Sequence, residues 1–557
     1  MRIGLMLLAA SVAVLPPAAQ AAEHTRLVLQ ITIDGLRADL LTRYQQHFGN
    51  SGFRYLLDEG VVFTNAHYQH ANTETIVGHA TLATGATPAV HGMVGNVWYN
   101  TSTGQLGYNI EDADAPILPT REIQQKGGQV DPAQKRATSS GRSPRGILVP
   151  TFSDTLVIST AGDSKNFGIS GKDRSAVAMA GQTGIAYWYS TDNGDFVTSQ
   201  YYMDQYPEWV REWNAERKAQ SFDNQQWHLT LEKPENYLHG YQDDRPYEVD
   251  LRGYGRVFPH PYGDVDNPLF FTRLLVSPEG DRLLADFGKA LIAKENLGAD
   301  DVPDYLSISF SGVDAVNHFF GPASLENEDV VVALDRTIAD LLAFVDTEVG
   351  LEHTLIVLSA DHGMAEMPEY AEEKGFQAGR LYGDEVLELA REAALTQFSS
   401  SDIIKDFFRP YLYLNHELIA EMGLDSGQVA DAVAKSLKTV PGIGAAITRH
   451  NIMANAGSEG MQNAVRANYH PQRSGDVYIA QAPYWFMFDR GPVAAMHGSP
   501  WRYDTHVPLI FVSEGLPPAS SDRLVHPADV APTLSELLAI PQPAAAQGEP
   551  LSEVLRQ

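Results

Sequence analysis

The sequence predicts an α/β protein built on a mostly parallel central sheet that two long insertions interrupt. The first observation is three short apolar runs, Leu27–Ile33, Leu306–Phe310 and Leu355–Leu358, each bounded by turn residues. Such runs read as strands buried on both faces, the habit of parallel sheets. The second is the set of polar residues just past the end of each run: Asp34; Ser311, Gly312 and Asp314 with His318 four residues on; and Asp361 beside His362. Open α/β sheets bind ligands beyond the carboxyl ends of their strands. Three carboxylates and two imidazoles brought to one sheet edge form a candidate metal site. The third is the alternation of strand and helix patterns along the chain.

Taken in order, Arg2, an apolar stretch from Ile3 to Leu15, Pro16-Pro17 and Ala19-Gln20-Ala21 have the pattern of a secretory signal over 1–21, cut before Ala22. The stretch is too short to span a bilayer, and no later segment reaches about 18 apolar residues. The expectation is an exported protein, periplasmic or extracellular, without stable membrane insertion. Residues 22–188 read as the first part of the sheet domain. Within them a helix is expected from Thr75 to Gly85, a strand at Phe167–Ser170, and a Gly-, Ser- and Lys-rich mobile loop at Gln124–Arg145. Residues 189–300 are polar and aromatic, with Tyr201, Tyr202, Trp209, Trp213, Trp227 and Tyr237, and read as an insertion whose rings pack rather than stack on substrate. Residues 301–365 return to the sheet. Ser324 can cap a helix whose apolar face is Leu334, Ile338, Leu341, Leu342 and Val345, with Thr337 and Asp340 pointing elsewhere. Residues 366–482 read as a second insertion. Residues 483–557 complete the core with a strand at Val507–Val512 and a last helix at Val530–Ile540, closed by Pro541.

Composition narrows the chemistry. The length of 557 residues suggests about three or four domain-sized units. A formal net charge of -30 argues against nucleic acid or an anionic membrane as partner, so a phosphate-bearing substrate needs a local cation. The absence of cysteine leaves His, Asp, Glu and hydroxyl oxygen as the available metal ligands. Thr75 lies in the run Ala-Asn-Thr-Glu-Thr-Ile-Val-Gly-His from Ala71 to His79. A hydroxyl at a helix start sits among unpaired N–H groups and becomes a nucleophile when a metal lowers its pKa. The competing reading is that Thr73 or Thr75 caps the helix.

Taken together, these residues resemble the alkaline phosphatase superfamily, and within it the phosphate-insensitive bacterial alkaline phosphatases with a threonine nucleophile. The motifs occur in matching order: Asp34; Thr75; Asp314 with His318; Asp361 with His362; His497 in His497-Gly498; and the run Tyr503–Pro508 behind it. The resemblance covers Asp34 to His497 and is unreadable in the insertions. It implies an α/β/α sandwich and two zinc ions, one on Asp34, Thr75, Asp361 and His362, the other on Asp314, His318 and His497. A further divalent cation is left open. It also implies that Lys172 and Arg174, in Gly171-Lys172-Asp173-Arg174, reach the non-bridging phosphoryl oxygens together with Asn96. A monoester carries about two negative charges at neutral pH and a diester one, so the cation pair suits monoesters. Ser143-Pro144-Arg145, with Thr151 and Asp154, resembles the run preceding this site.

The implied activity is hydrolysis of small-molecule phosphate monoesters by a monomer, through a phosphothreonine. The alternatives are a nucleotide pyrophosphatase/phosphodiesterase of the same superfamily and an exported metal- or phosphate-binding protein without turnover. A sulfatase is excluded by the missing cysteine and by the wrong spacing of Ser143-Pro144-Arg145. His79 and His91 are expected in supporting positions. His506 competes with His497 for the last ligand place, and the His-Gly pair favours His497. Trp98 and Tyr99 are expected to pack beneath the site.

Overall fold

The computed structural model describes residues 25–100, 104–121, 129–454 and 460–555. The leader pattern at 1–21 and residues 124–128 of the expected mobile loop lie outside the described residues. Nine strands form the central sheet: β1 (Leu27–Ile33), β2 (Val61–His67), β3 (Asn166–Ser170), β4 (Ile185–Tyr189), β5 (Phe196–Val197), β6 (Asp304–Phe310), β7 (Thr354–Ser359), β8 (His506–Val512) and β9 (Ala519–Ser521). Their order is β9-β2-β8-β7-β1-β6-β3-β4-β5. The central run from β7 to β4 is parallel. Strand β8 enters antiparallel to both β7 and β2.

Successive side chains of a strand face opposite ways, and both faces of this sheet are covered. Leu29, Ile31 and Ile33 pack with Leu306, Ile308, Ile356 and Leu358 beneath helices α3 (Pro278–Glu295) and α5 (Leu325–Glu348). Val28, Tyr305, Leu355 and Val357 face α1 (Thr75–Thr84) and α6 (Val530–Leu537). Ser324 caps α5, its Oγ accepting from Asn327 N–H at 3.0 Å. Asp340 faces outward, but Thr337 does not: it is buried, and its hydroxyl donates to Ala333 O. Nearby Asp335 is buried as well, so the packed side of α5 is wider than the apolar stripe, and the short hydroxyl is accommodated by bonding back to its own helix. Helix α6 stops at Leu537, because Ala539 adopts a left-handed backbone (φ 52). It is not the last helix, since a short one follows at Ser552–Leu555.

The aromatic residues of 189–300 pack as expected. Trp209 and Trp213 surround Phe287 of α3, and Trp227 and Tyr237 both donate to buried Asp329 of α5. Further along, Ile404–Phe408, Tyr411–Leu414, Val477–Gln481 and Ile443–Thr448 form a second sheet in that order. Its own apolar core lies against helices Gly383–Phe398 and Ser426–Leu437.

Candidate active site

Strand register assembles the site. Ser170, Ser309, Thr32 and Ser359 lie in one row across β3, β6, β1 and β7. Two residues beyond that row the chain reaches Lys172, Asp34 and Asp361. Past Ser311, β6 turns into helix α4 (Gly312–Phe320), which carries Asp314 and His318 one turn apart. Four neighbouring strands therefore deliver their polar ends to one spot. His362 Nε2 lies 3.4 Å from Asp34 Oδ1 and 3.3 Å from Asp361 Oδ2. His318 Nε2 lies 3.3 Å from Asp314 Oδ2, and His497 Nε2 lies 3.7 Å from Asp314 Oδ1. Ligand atoms of Asp314, His318 and His497 all fall within 4.8 Å of one another, as do those of Asp34, Asp314 and His362. Asp314 thus takes part in both groups.

These residues fit divalent metal ions. Asp34 Oδ1, Asp314 Oδ1, Asp361 Oδ2 and His362 Nε2 are buried without a hydrogen-bond partner, a costly arrangement unless a cation meets them. Burial, reinforced by Asp314 and Asp361, pushes the Asp34 carboxyl well above its ordinary range. Burial also acts to raise Asp314, but His318 and Lys172 outweigh it and hold that carboxyl well below. At Asp361 the same opposition is won by His362 and His79, which lower it. Burial, with His362 beside it, keeps His497 well below the usual imidazole range, hence neutral and able to bind metal. The oxygen and nitrogen donor set, without thiolate, suits zinc and other divalent ions.

Helix α1 enters the site end-on and is buried along its length. Neither threonine caps it: the N-cap is Glu74, without a side-chain cap bond, and the Thr73 hydroxyl donates to Ser499 O. Thr75 is the first helical residue, and its Oγ1 accepts from Arg174 Nη2 at 3.3 Å. Asn96 Oδ1 accepts from Ile76 N–H at 3.2 Å, which turns its amide nitrogen away from the helix. The approach of α1 depends on Gly78, where a Cβ would overlap the backbone carbonyl of Asp361. Lys172 Nζ pairs with Asp34 Oδ2 at 2.7 Å and with Asp314 Oδ2, so it stands between the two ligand groups. Arg174, Lys172, Asn96, His318 and His497 line a cavity of about 650 Å³, together with Phe408, Phe488 and Met496.

The other expected residues fall into place around this centre. His79 bonds Thr75 O at 2.8 Å and Ser309 Oγ at 2.8 Å, and His91 bonds Thr81 Oγ1 at 3.2 Å. His506 is stacked on His67 and bonds Thr64 O, away from both ligand groups. Thr151 and Asp154 form a capping box on helix Phe152–Ser159. Trp98 and Tyr99 pack against Arg473 and Tyr413 of the second insertion rather than beneath the ligands. The described part of the expected mobile loop, 129–145, is tied down by the site itself. Asp131 pairs with Arg174 at 2.6 Å, and Arg142 pairs with Asp173 at 2.7 Å.

Sequence reasoning missed Asp131, Asp173, Arg142, Glu74 and Arg409. Glu74 Oε2 accepts from Asn96 N–H and its Oε1 pairs with Arg409 at 2.6 Å. Only the position of Glu74 beside Thr75 could have signalled it.

Residues 28–500 match the type I phosphodiesterase / nucleotide pyrophosphatase family, and the chain belongs to it. It is 32% identical over 545 residues to a calcium-transporting ATPase of Myroides odoratus, covering 97% of this chain and 96% of that one. It is 31% identical over 542 residues to the alkaline phosphatase PafA of Elizabethkingia meningoseptica, covering 96% and 95%. The crystal structure of PafA superposes with a TM-score of 0.86, at 28% identity over 96% of this chain and 99% of that one. A solved PafA variant replaces a threonine and an asparagine 21 positions apart and a lysine and an arginine two apart. Thr75 with Asn96, and Lys172 with Arg174, have the same residue types and spacings.

Proposed function

We propose that this chain is an exported, metal-dependent alkaline phosphatase that hydrolyses small-molecule phosphate monoesters to alcohol and inorganic phosphate. The observation that carries the reading is that Lys172, Arg174 and Asn96 line one cavity, with Arg174 also donating to the Thr75 hydroxyl. Thr75 Oγ1 attacks phosphorus as the bond to the departing alcohol breaks, and water then cleaves the phosphothreonine to phosphate and free Thr75. Lys172, Arg174 and the Asn96 amide stabilise charge on the non-bridging oxygens. Asp34, Thr75, Asp361 and His362 would hold one zinc and Asp314, His318 and His497 a second. Bound there, the metals supply the charge that lowers the hydroxyl pKa and neutralises the attacking and leaving oxygens. Export is supported by the leader pattern over residues 1–21.

The family's phosphodiesterases supply the competing reading, and charge separates the two. Rates on p-nitrophenyl phosphate and bis-p-nitrophenyl phosphate are compared for the wild type, Lys172→Ala and Arg174→Ala. The wild type should favour the monoester. Each substitution should lower monoester turnover about 30- to 1000-fold, the equivalent of roughly 2–4 kcal/mol in the transition state, and diester turnover far less. Equal losses on both substrates would make the enzyme a general phosphoesterase.

A further inference from the structure

The second sheet sends Phe408 to the cavity wall and, just past it, Arg409 to the residues around Thr75. Arg409 lies between the strands Ile404–Phe408 and Tyr411–Leu414, and its side chain is 3% exposed. One arm of its guanidinium, Nη2, donates to Glu74 Oε1 at 2.6 Å, and the other, Nη1, donates to the backbone carbonyl of His497. Its Cζ lies 5.3 Å from the ring centroid of Phe488. We propose that Arg409 is a positioning residue of the active site, fixing the His497 imidazole relative to the Thr75 end of helix α1.

Three features argue for this and rest on the phosphatase reading above. First, the two arms grip different parts of the machinery. Glu74 immediately precedes Thr75 and also holds the Asn96 backbone N–H, while His497 belongs to a separate loop. A planar fork can fix the angle between two partners, which a point charge cannot. Second, the same two segments are cross-tied on their inner side, since His497 Nδ1 lies 2.8 Å from Thr73 O. That contact sets the ring orientation and leaves Nε2 facing Asp314. Arg409 closes the frame from the outer side, so neither segment can shift without straining the other. Third, the chain has made room for the guanidinium. Gly498 adopts φ +101, and a Cβ there would come 2.6 to 2.8 Å from the Arg409 guanidinium atoms. The glycine of His497-Gly498 thus serves the arginine as well as the turn.

The test uses the full mature chain as wild type, Arg409→Lys, Arg409→Met and the double variant Glu74→Gln/Arg409→Met. The double variant leaves no unpaired buried charge and keeps an acceptor for Asn96 N–H, so it separates positioning from a purely structural ion pair. Melting curves, kcat and KM on p-nitrophenyl phosphate, and zinc affinity by chelator competition are measured for each. Arg409→Lys and the double variant should fold. Both should lose about 10- to 100-fold in kcat and in zinc affinity, the usual effect of removing a group that orients a metal ligand, with KM little changed. Wild-type kcat and zinc affinity in either folded variant would overturn the proposal. So would a rise in KM alone, which would mean a substrate contact, or failure of both variants to fold, which would make Arg409 a requirement of the fold. A wild type without phosphatase activity would instead sink the functional reading, and the zinc measurements would still decide the role of Arg409.

Discussion

Thr75 occupies the first position of a fully buried helix, and its hydroxyl meets Arg174 rather than capping the helix. Its hydroxyl is therefore available for chemistry. Thr75→Ala should lower monoester turnover by roughly three or more orders of magnitude while the fold and much of the zinc content persist. Thr75→Ser should retain measurable activity, because it loses only a methyl group. Turnover assays alongside metal analysis check this, and near-native turnover of the alanine variant would remove the covalent mechanism. At this scale Asp34, Asp314 and Asp361 were legible because each follows an apolar strand run within a few residues, whereas Thr75 and His497 rested on the resemblance. Arg409 was not legible, since its partner Glu74 lies 335 positions away and an isolated Arg-Pro pair carries no local signal.

Two helix contacts set the site's dimensions. Helix α1 can lie against the Asp361 backbone only because residue 78 is glycine. Gly78→Ala should destabilise the protein by about 1–3 kcal/mol through overpacking, and should lower zinc content by displacing Asp361. A melting temperature and zinc content equal to wild type would refute the contact. On the opposite layer, Asp281 of α3 accepts N–H bonds from Ser311 and Gly312, both at 3.0 Å, and so anchors the start of the helix carrying Asp314. Burial pushes its carboxyl up to about 7 despite those two donors. The folded value lies above the unfolded value of about 4, so its contribution to stability is complete below that pH and is lost as pH rises through 7. Asp281→Asn keeps an acceptor and cannot ionise. It should be more stable than wild type by up to about 4 kcal/mol above pH 8, with the gap closing by about pH 4. Denaturant titrations across that range check it, and a pH-independent difference would mean that Asp281 stays ionised.

For the whole molecule, the sheet gathers Asp34, Asp314 and Asp361, all buried, past the carboxyl ends of its strands, with Lys172 between two of them. Metal binding to such a cluster stabilises the folded state by mass action. Exhaustive chelation should abolish activity and lower the melting temperature. Zinc should restore both better than magnesium, given the three histidines in the proposed metal groups. Restoration by magnesium alone would undo the ligand assignment. His497→Ala should lower zinc content more than His506→Ala, because His506 is engaged with His67 and Thr64 on the far side of β8.

Five of the nine sheet strands, their polar ends and most of the ligand candidates were legible in the sequence. Apolar runs, helix caps and residues adjacent in the chain are local features, and local features survive in one dimension. The course of α1 was likewise readable from Thr75 to Gly85, whose left-handed backbone ends the helix. Tertiary structure alone decided how these pieces share a centre. Register placed Ser170, Ser309, Thr32 and Ser359 in one row, which put Asp314 within reach of both ligand groups. It also anchored residues 129–145 through Asp131 and Arg142, and it brought Arg409 from the second sheet to the start of α1. Those contacts join buried charges far apart in sequence. A buried charge finds its partner only after the surrounding elements have packed and excluded water.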